Sequence, residues 1–97
     1  MTVNIERNYE FVTLKISGRL DAATAPNLEK IINEFPEDTE ELIFDMMDVE
    51  YISSAGIRVL LGAYKKMNLN QRTMRIEKAN VMVREIFEMT GLSQMLE

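Results

Sequence analysis

Alternation of apolar and polar residues opens the chain. Val3 and Ile5 stand between polar neighbours, and a second run, FVTLKIS at 11–17, puts Val12, Leu14 and Ile16 on one face and Phe11, Thr13 and Lys15 on the other. A period of two belongs to half-buried strands. With the turn-like Arg7-Asn8-Tyr9-Glu10 between them, the two runs predict an antiparallel hairpin that Gly18 brings to an end.

The period then lengthens. Leu28, Ile31, Ile32 and Phe35 fall at i, i+3, i+4 and i+7, the stripe of an amphipathic helix of about three turns. Thr24 is placed to cap it, and Pro26 sits in its first turn, where a missing N–H costs nothing. Pro36 and the acidic residues that follow are expected to break the helix and form a solvated connector. Leu42-Ile43-Phe44 is an unbroken apolar run too short for a helix, and reads as a central strand covered on both faces and closed by Asp45.

Ile57, Leu60, Leu61 and Tyr64 repeat the helical stripe, with Lys65 and Lys66 set near the negative end of the helix dipole. Gly62 inside this helix is expected to mark a close-packing site. TMRIEK, from Thr73, reads as another strand; Asn80 can cap a third helix carrying Val83, Ile86 and Phe87; Gly91 is its expected stop. The tail LSQMLE fits either a short helix or a frayed end. The order β-β-α-β-α-β-α argues for crossover units and a largely parallel sheet behind the opening hairpin. The expected fold class is therefore α/β, a mixed sheet of about four to five strands with three to four helices in a single domain over 1–97.

Composition narrows the function. The 97 residues are 46% hydrophobic and 28% charged, as in an ordinary globular domain, and no apolar run approaches the ~18 residues of a membrane span. The start lacks the basic and apolar regions of a signal peptide and there is no cysteine, so the cytoplasm is the expected compartment, with no membrane partner. Sixteen acidic against eleven basic residues give a net charge of −5, the wrong sign for neutralising a phosphate backbone, so no nucleic-acid partner is expected. Without His or Cys, the usual general base, thiolate nucleophile and commonest nitrogen and sulfur metal ligands are missing. No cofactor, metal or enzymatic activity is expected. A serine nucleophile would need a Lys or carboxylate as its base, and there is no G-x-S-x-G elbow.

The segment YISSAG, residues 51–56, carries the one chemical question. Ser53 and Ser54 lie between a strand end and a helix start, where serine is a good acceptor for the orphan N–H groups of a first turn. Capping alone accounts for their position. Ala55 and Gly56, however, leave them little neighbouring bulk, and the carboxyl end of a strand is where open α/β sheets place their sites. The exposed N–H groups and positive pole of the helix favour an anion there. One residue can both cap a helix and accept a phosphate.

The run DMMDVEYISSAGIRVLLGAYKK resembles the central signature of STAS domains, specifically the small anti-sigma-factor antagonists. Asp45, Val49, Tyr51, Ile52, Ser54, Gly56 and Ile57 sit where that pattern wants them. SGRLDAATAP resembles the family's G-x-L-D strand end and the helix start after it, matched by Gly18, Leu20, Asp21 and Thr24, and FEMTGLSQML resembles its closing helix. The resemblance implies a partner switch. The unphosphorylated form binds an anti-sigma factor that is also a serine kinase; phosphorylation breaks the complex and a serine phosphatase resets it, regulating transcription indirectly. It implies Ser54 as the acceptor, by its two-residue distance from Gly56, with Ser53 as the alternative. It also implies a partner surface of Asp21, Ser53, Ser54, Ala55, Gly56 and Arg58. A phosphoserine would take the chain from −5 to roughly −7 and spoil a packed interface by bulk, desolvation and repulsion.

The sequence departs from the family's pattern where Ser53 replaces the Asp that often precedes the acceptor, and where Ala55 stands in place of a second Ser or Thr. The alternative function is a STAS-like scaffold that binds a small molecule or another regulatory protein without phosphorylation control. Asp45 and Asp48 are expected to shape their loop. Val59 and Met67 lie off the second helix's inner stripe and, with Arg58, are expected to rim the serine. Met82 and Met89 lie off the third helix's stripe, and the free domain is expected to be a monomer or a weak dimer.

Overall fold

The computed structural model describes residues 1–35 and 39–96. The break assigned to Pro36 and the connector positions Glu37 and Asp38 lie outside the described residues. Strand β1, Thr2–Asn8, pairs antiparallel with β2, Phe11–Leu20, from Thr2 opposite Ser17 to Asn8 opposite Phe11. The turn is thus only Tyr9-Glu10, with Tyr9 forced to φ 58°. Helix α1, Ala25–Asn33, then leads to β3, Glu41–Ile52, parallel to β2; α2, Ser54–Leu69, leads to β4, Thr73–Glu77, parallel to β3. α3, Val81–Met89, closes the order. The four strands form one mixed sheet in the order β1-β2-β3-β4, the architecture and element order that the sequence pattern implies.

One face of the sheet carries the core. Val12, Leu14 and Ile16 of β2, Leu42, Phe44 and Met46 of β3 and Met74 and Ile76 of β4 pack with Leu28, Leu60, Val83 and Phe87 of the three helices. The opposite face is polar. Lys15, Glu41, Asp45, Arg75 and Glu77 project there, and Arg75 Nε stands 2.8 Å from Glu41 Oε1 while its Nη2 stands 3.1 Å from Glu77. Ile43 is buried on this side, outside the main core cluster. Strand β3 is therefore covered by helices on one face only, contrary to what its apolar run suggested.

Asp45 does not close β3. The strand continues to Ile52 through two irregularities, where Asp45 to Asp48 oppose Lys15 to Ser17 and Val49 to Tyr51 oppose Gly18 to Arg19. Each puts an extra residue on β3, so the buried side chains become Met46, Val49 and Ile52, three apart, and the period of two vanishes. The Asp45 carboxylate accepts the Met47 N–H at 3.1 Å, shaping the first bulge as expected of it. Gly18 likewise does not end β2; the strand runs through it at φ 86° to Leu20.

Thr24 precedes α1 but makes no side-chain cap. Asp21 does that work one turn earlier. Its Oδ1 accepts the N–H groups of Ala23 at 3.0 Å and Thr24 at 3.2 Å, while Thr24 Oγ1 accepts the Asp21 N–H at 2.9 Å. This is a capping box with threonine as the returning partner. Asn80 caps α3 as its position implies, its Oδ1 accepting the Val83 N–H at 2.9 Å. Gly91, at φ 74°, ends α3, where the Leu92 N–H donates to the Phe87 carbonyl at 2.8 Å. Of the two readings of the tail the short helix holds as far as Leu96: Ser93–Met95 is a 3₁₀ helix, Met95 is fully buried and Leu96 bridges to Ile76.

Four helix positions differ from expectation. Nothing lies within 4 Å of where a Gly62 Cβ would stand, so it is not a close-packing site. Val59 and Met67 are half-buried against the core instead of rimming the serines, because the inner stripe of α2 runs through Gly56, Leu60 and Ala63. Met82 is also packed against the core, whereas Met89 is 85% exposed.

Candidate functional site at the amino end of α2

Strand β3 ends at Ile52 and α2 begins at Ser54, so Ser53 alone forms the joint. Its extended backbone, at φ −89° and ψ 173°, is that of an N-cap, and its Oγ accepts the Gly56 N–H at 3.4 Å. The Ser53 N–H donates to the Leu20 carbonyl at 2.9 Å, fixing the joint to the end of β2. Gly56 is what permits this approach: a Cβ there would lie 2.8 Å from Leu20 Cγ and 2.9 Å from the Leu20 carbonyl oxygen. Glycine is required by contact with the neighbouring strand and not by its dihedral angles.

The two serines thus have different duties. Ser53 is half-buried and engaged as the cap, whereas Ser54 is exposed and its hydroxyl has no hydrogen-bond partner among the described residues. Ser54 occupies the first helical position, beside N–H groups that a helix leaves without internal acceptors. The first turn of α2 holds no acidic residue, so the positive pole of the helix is not offset by a nearby carboxylate in that turn. Arg58 is exposed four residues on, on the same side of the helix. Ala55 is half-buried against the core, and Gly56 is buried.

Asp21 lies at the carboxyl end of β2, beside the residue whose carbonyl holds Ser53. Desolvation acts to raise its pKa, but the Thr24 and Ala23 N–H groups, the Thr24 hydroxyl and Arg19 together outweigh it and hold the carboxyl below its ordinary value. Its oxygens are occupied, so it is held as an ionised loop anchor with Arg19 Nε 3.4 Å away. Arg19 also stacks over the Tyr51 ring, 4.4 Å from its centroid. The sequence reading did not single out Arg19. The pairing of Arg19 with Tyr51 depends on the second bulge in β3, which a count along the sequence does not show.

Asn80 is a second feature that the pattern showed only in part. Beyond capping α3, its Nδ2 donates to the carbonyls of Val49 at 2.8 Å and Met47 at 3.0 Å, with Met46 at 3.4 Å. It pins the first bulge of β3 to the start of α3. Met47, on the outer side of that bulge, is half-exposed.

The model of the STAS domain matches residues 2–97 of the chain. The chain belongs to the STAS domain family. Among curated relatives, this STAS domain is 29% identical to the anti-sigma-B factor antagonist of Staphylococcus aureus (strain NCTC 8325 / PS 47), over 99% of the chain and 92% of the relative. Among solved structures it is similar to the anti-sigma factor antagonist SpoIIAA in its unphosphorylated form, with a TM-score of 0.87 and 19% identity over 99% of this chain and 86% of that one. The phosphorylated form of the Bacillus cell fate determinant SpoIIAA gives a TM-score of 0.82 and 17% identity, covering 99% of this chain and 89% of the other. An anti-sigma factor antagonist from Mycobacterium paratuberculosis gives 0.84 and 27% identity, covering 98% and 81%. Among the described residues of this STAS domain, no helix is long and apolar enough to cross a membrane.

Proposed function

We propose that the chain is an anti-sigma-factor antagonist of the partner-switching kind, with Ser54 as its phosphoacceptor. In this reading the unphosphorylated domain binds an anti-sigma factor that is also a serine kinase, working in the cytoplasm as a regulator and not as a catalyst. Phosphorylation by that kinase releases it, and a serine phosphatase restores binding. Asp21, Ser53, Ser54, Ala55 and Arg58 form the partner surface, and Gly56 sets how closely the serine turn packs on Leu20. The names and forms of the similar proteins support the reading, and one observation carries it to a residue: the exposed hydroxyl of Ser54 is free because Ser53 has taken the capping bond.

The physics of release is local. A phosphate adds about −1.5 to −2 charges and three acceptor oxygens, at a helix pole that tolerates them within the domain. Against a packed partner the same group is bulky and desolvated. A shift from mostly bound to mostly free requires on the order of 3–5 kcal/mol, within reach of one buried, unmatched phosphate. The fold itself need not change.

The test is incubation with ATP and the cognate anti-sigma kinase, followed by peptide mass mapping. An addition of ~80 Da on the peptide carrying Ser54 is expected. Ser54→Ala should bind the kinase constitutively and Ser54→Asp at least about tenfold more weakly, a difference of about 1.4 kcal/mol. Equal binding by both variants, or modification of Ser53 with Ser54 untouched, would overturn the assignment.

A further inference from the structure

At the opposite end of α2 from Ser54, a cavity of about 120 Å³ opens between α1, α2 and the amino ends of β3 and β4. Its walls are apolar, built from Ile32, Phe35, Leu42 and Met67, and its polar side carries Lys66 and Arg72. Among the described residues no carboxylate lines it, in a chain of net charge −5. Among the described residues Arg72 Nε and Nη1 have no hydrogen-bond acceptor, and the guanidinium's ion pair with Glu40 is a long one, 3.9 Å from Nη1. A guanidinium with donors in that condition is costly unless something accepts from them.

The carbonyls at the end of α2 are not waiting for Arg72. Met67 accepts the N–H groups of Asn70 and Arg72 at 3.2 and 2.8 Å, Asn68 accepts that of Gln71 at 3.0 Å, and the Asn70 side chain donates to the Lys66 carbonyl at 2.9 Å. The negative pole of the helix is thus largely satisfied, and the two cations remain beside an apolar hollow. We infer that this cavity is a binding site for a small organic monocarboxylate, its carboxylate held by Arg72 and Lys66 and its short hydrocarbon tail placed among Ile32, Phe35, Leu42 and Met67. Guanidinium suits a carboxylate by planar geometry, and Lys66 adds a point charge. A cavity of ~150 Å³ accommodates benzene, so the volume here fits a tail of about three to five carbons. With so few atoms the affinity falls in roughly the millimolar range.

Titration of the folded, unmodified protein with sodium valerate, followed by amide NMR, tests the site. The expected result is saturable shifts at Lys66, Met67, Asn70 and Arg72 with none at Ser54, and a rise of several degrees in Tm when valerate is about tenfold over Kd. Valeramide, of the same shape without the charge, and the variant Arg72→Gln should each weaken binding at least about tenfold, with Arg72→Lys intermediate. Far-UV circular dichroism checks that each variant is folded. Linear, unsaturated shifts up to 50-fold the valerate concentration at which binding is expected, or equal response to valeramide, would overturn the inference. Ser54→Ala should bind valerate normally, so failure here and failure of the phosphoserine reading are separate results.

Discussion

Gly56 and Leu20 are in such close contact that the smallest possible side chain would not fit between them. A Gly56 Cβ would lie 2.8 Å from Leu20 Cγ, which can rotate away, but also 2.9 Å from the Leu20 carbonyl oxygen, which is fixed by its bond to the Ser53 N–H. Gly56→Ala should therefore lower stability by about 1–3 kcal/mol despite the better helix propensity of alanine. Urea denaturation checks this. A stabilised variant would mean that the joint between β2 and α2 is looser than the contact implies.

The division of labour between the two serines has its own signature. Ser53→Ala removes the cap, and with a hydrogen bond of 3.4 Å the cost should be at the lower end of the range, about 0.5–1 kcal/mol. Ser54→Ala removes nothing from the folded state and should change stability by less than about 0.5 kcal/mol. The same denaturation curves measure both. A larger cost at Ser54 would reverse the roles.

Asn80→Ala should cost more than an ordinary cap. It loses the acceptor for the Val83 N–H and the donor to the Val49 and Met47 carbonyls, together about 2–3 kcal/mol. Asn80→Asp keeps the acceptor but turns an oxygen toward those carbonyls, and should rescue little at neutral pH. Comparing the two variants by thermal melting separates the cap from the tie to the β3 bulge.

Asp21 gives a dependence on pH. Its folded pKa is lowered, so between its folded and unfolded values the unfolded chain binds more protons and stability rises with pH. The contribution is present above the unfolded value, near 3.8, and is lost as pH falls through the folded one. Carbon-detected NMR titration of the Asp21 carboxyl should show the lowered value. Asp21→Asn should flatten the acid limb of the stability curve and lower stability at neutral pH, where the contribution of the ionised carboxylate is fully present.

Most of the architecture was legible because the helices and β2 follow single periods. Ile57, Leu60, Leu61 and Tyr64, or Val12, Leu14 and Ile16, can be read as stripes without knowing their neighbours. Strand β3 was not, because its second half has no period of its own: Met46, Val49 and Ile52 are aligned only by the register against β2, a property of two strands. At α1 the position of the cap was legible but its bonding was not. Thr24 stands at the N-cap, but its hydroxyl accepts the Asp21 N–H and donates to the Arg19 carbonyl, so it makes no bond to the helix's first turn. At the serine turn the sequence placed both serines between a strand end and a helix start, while the choice of which hydroxyl is spent on the helix needed coordinates. Arg72 carried no signal, since an exposed arginine and one facing an apolar hollow look alike in a string of letters.

The polar side of the sheet has a consequence for traffic around the molecule. Arg75 sits between Glu41 and Glu77, Lys78 is 3.9 Å from Asp45 and Lys15 is 3.7 Å from Asp48. A visitor lying flat on that surface would have to strip water from this charged lattice, at several kcal/mol for each ion left unmatched. That face of the sheet is thereby kept quiet, and encounters are channelled toward the ends and the helical flank.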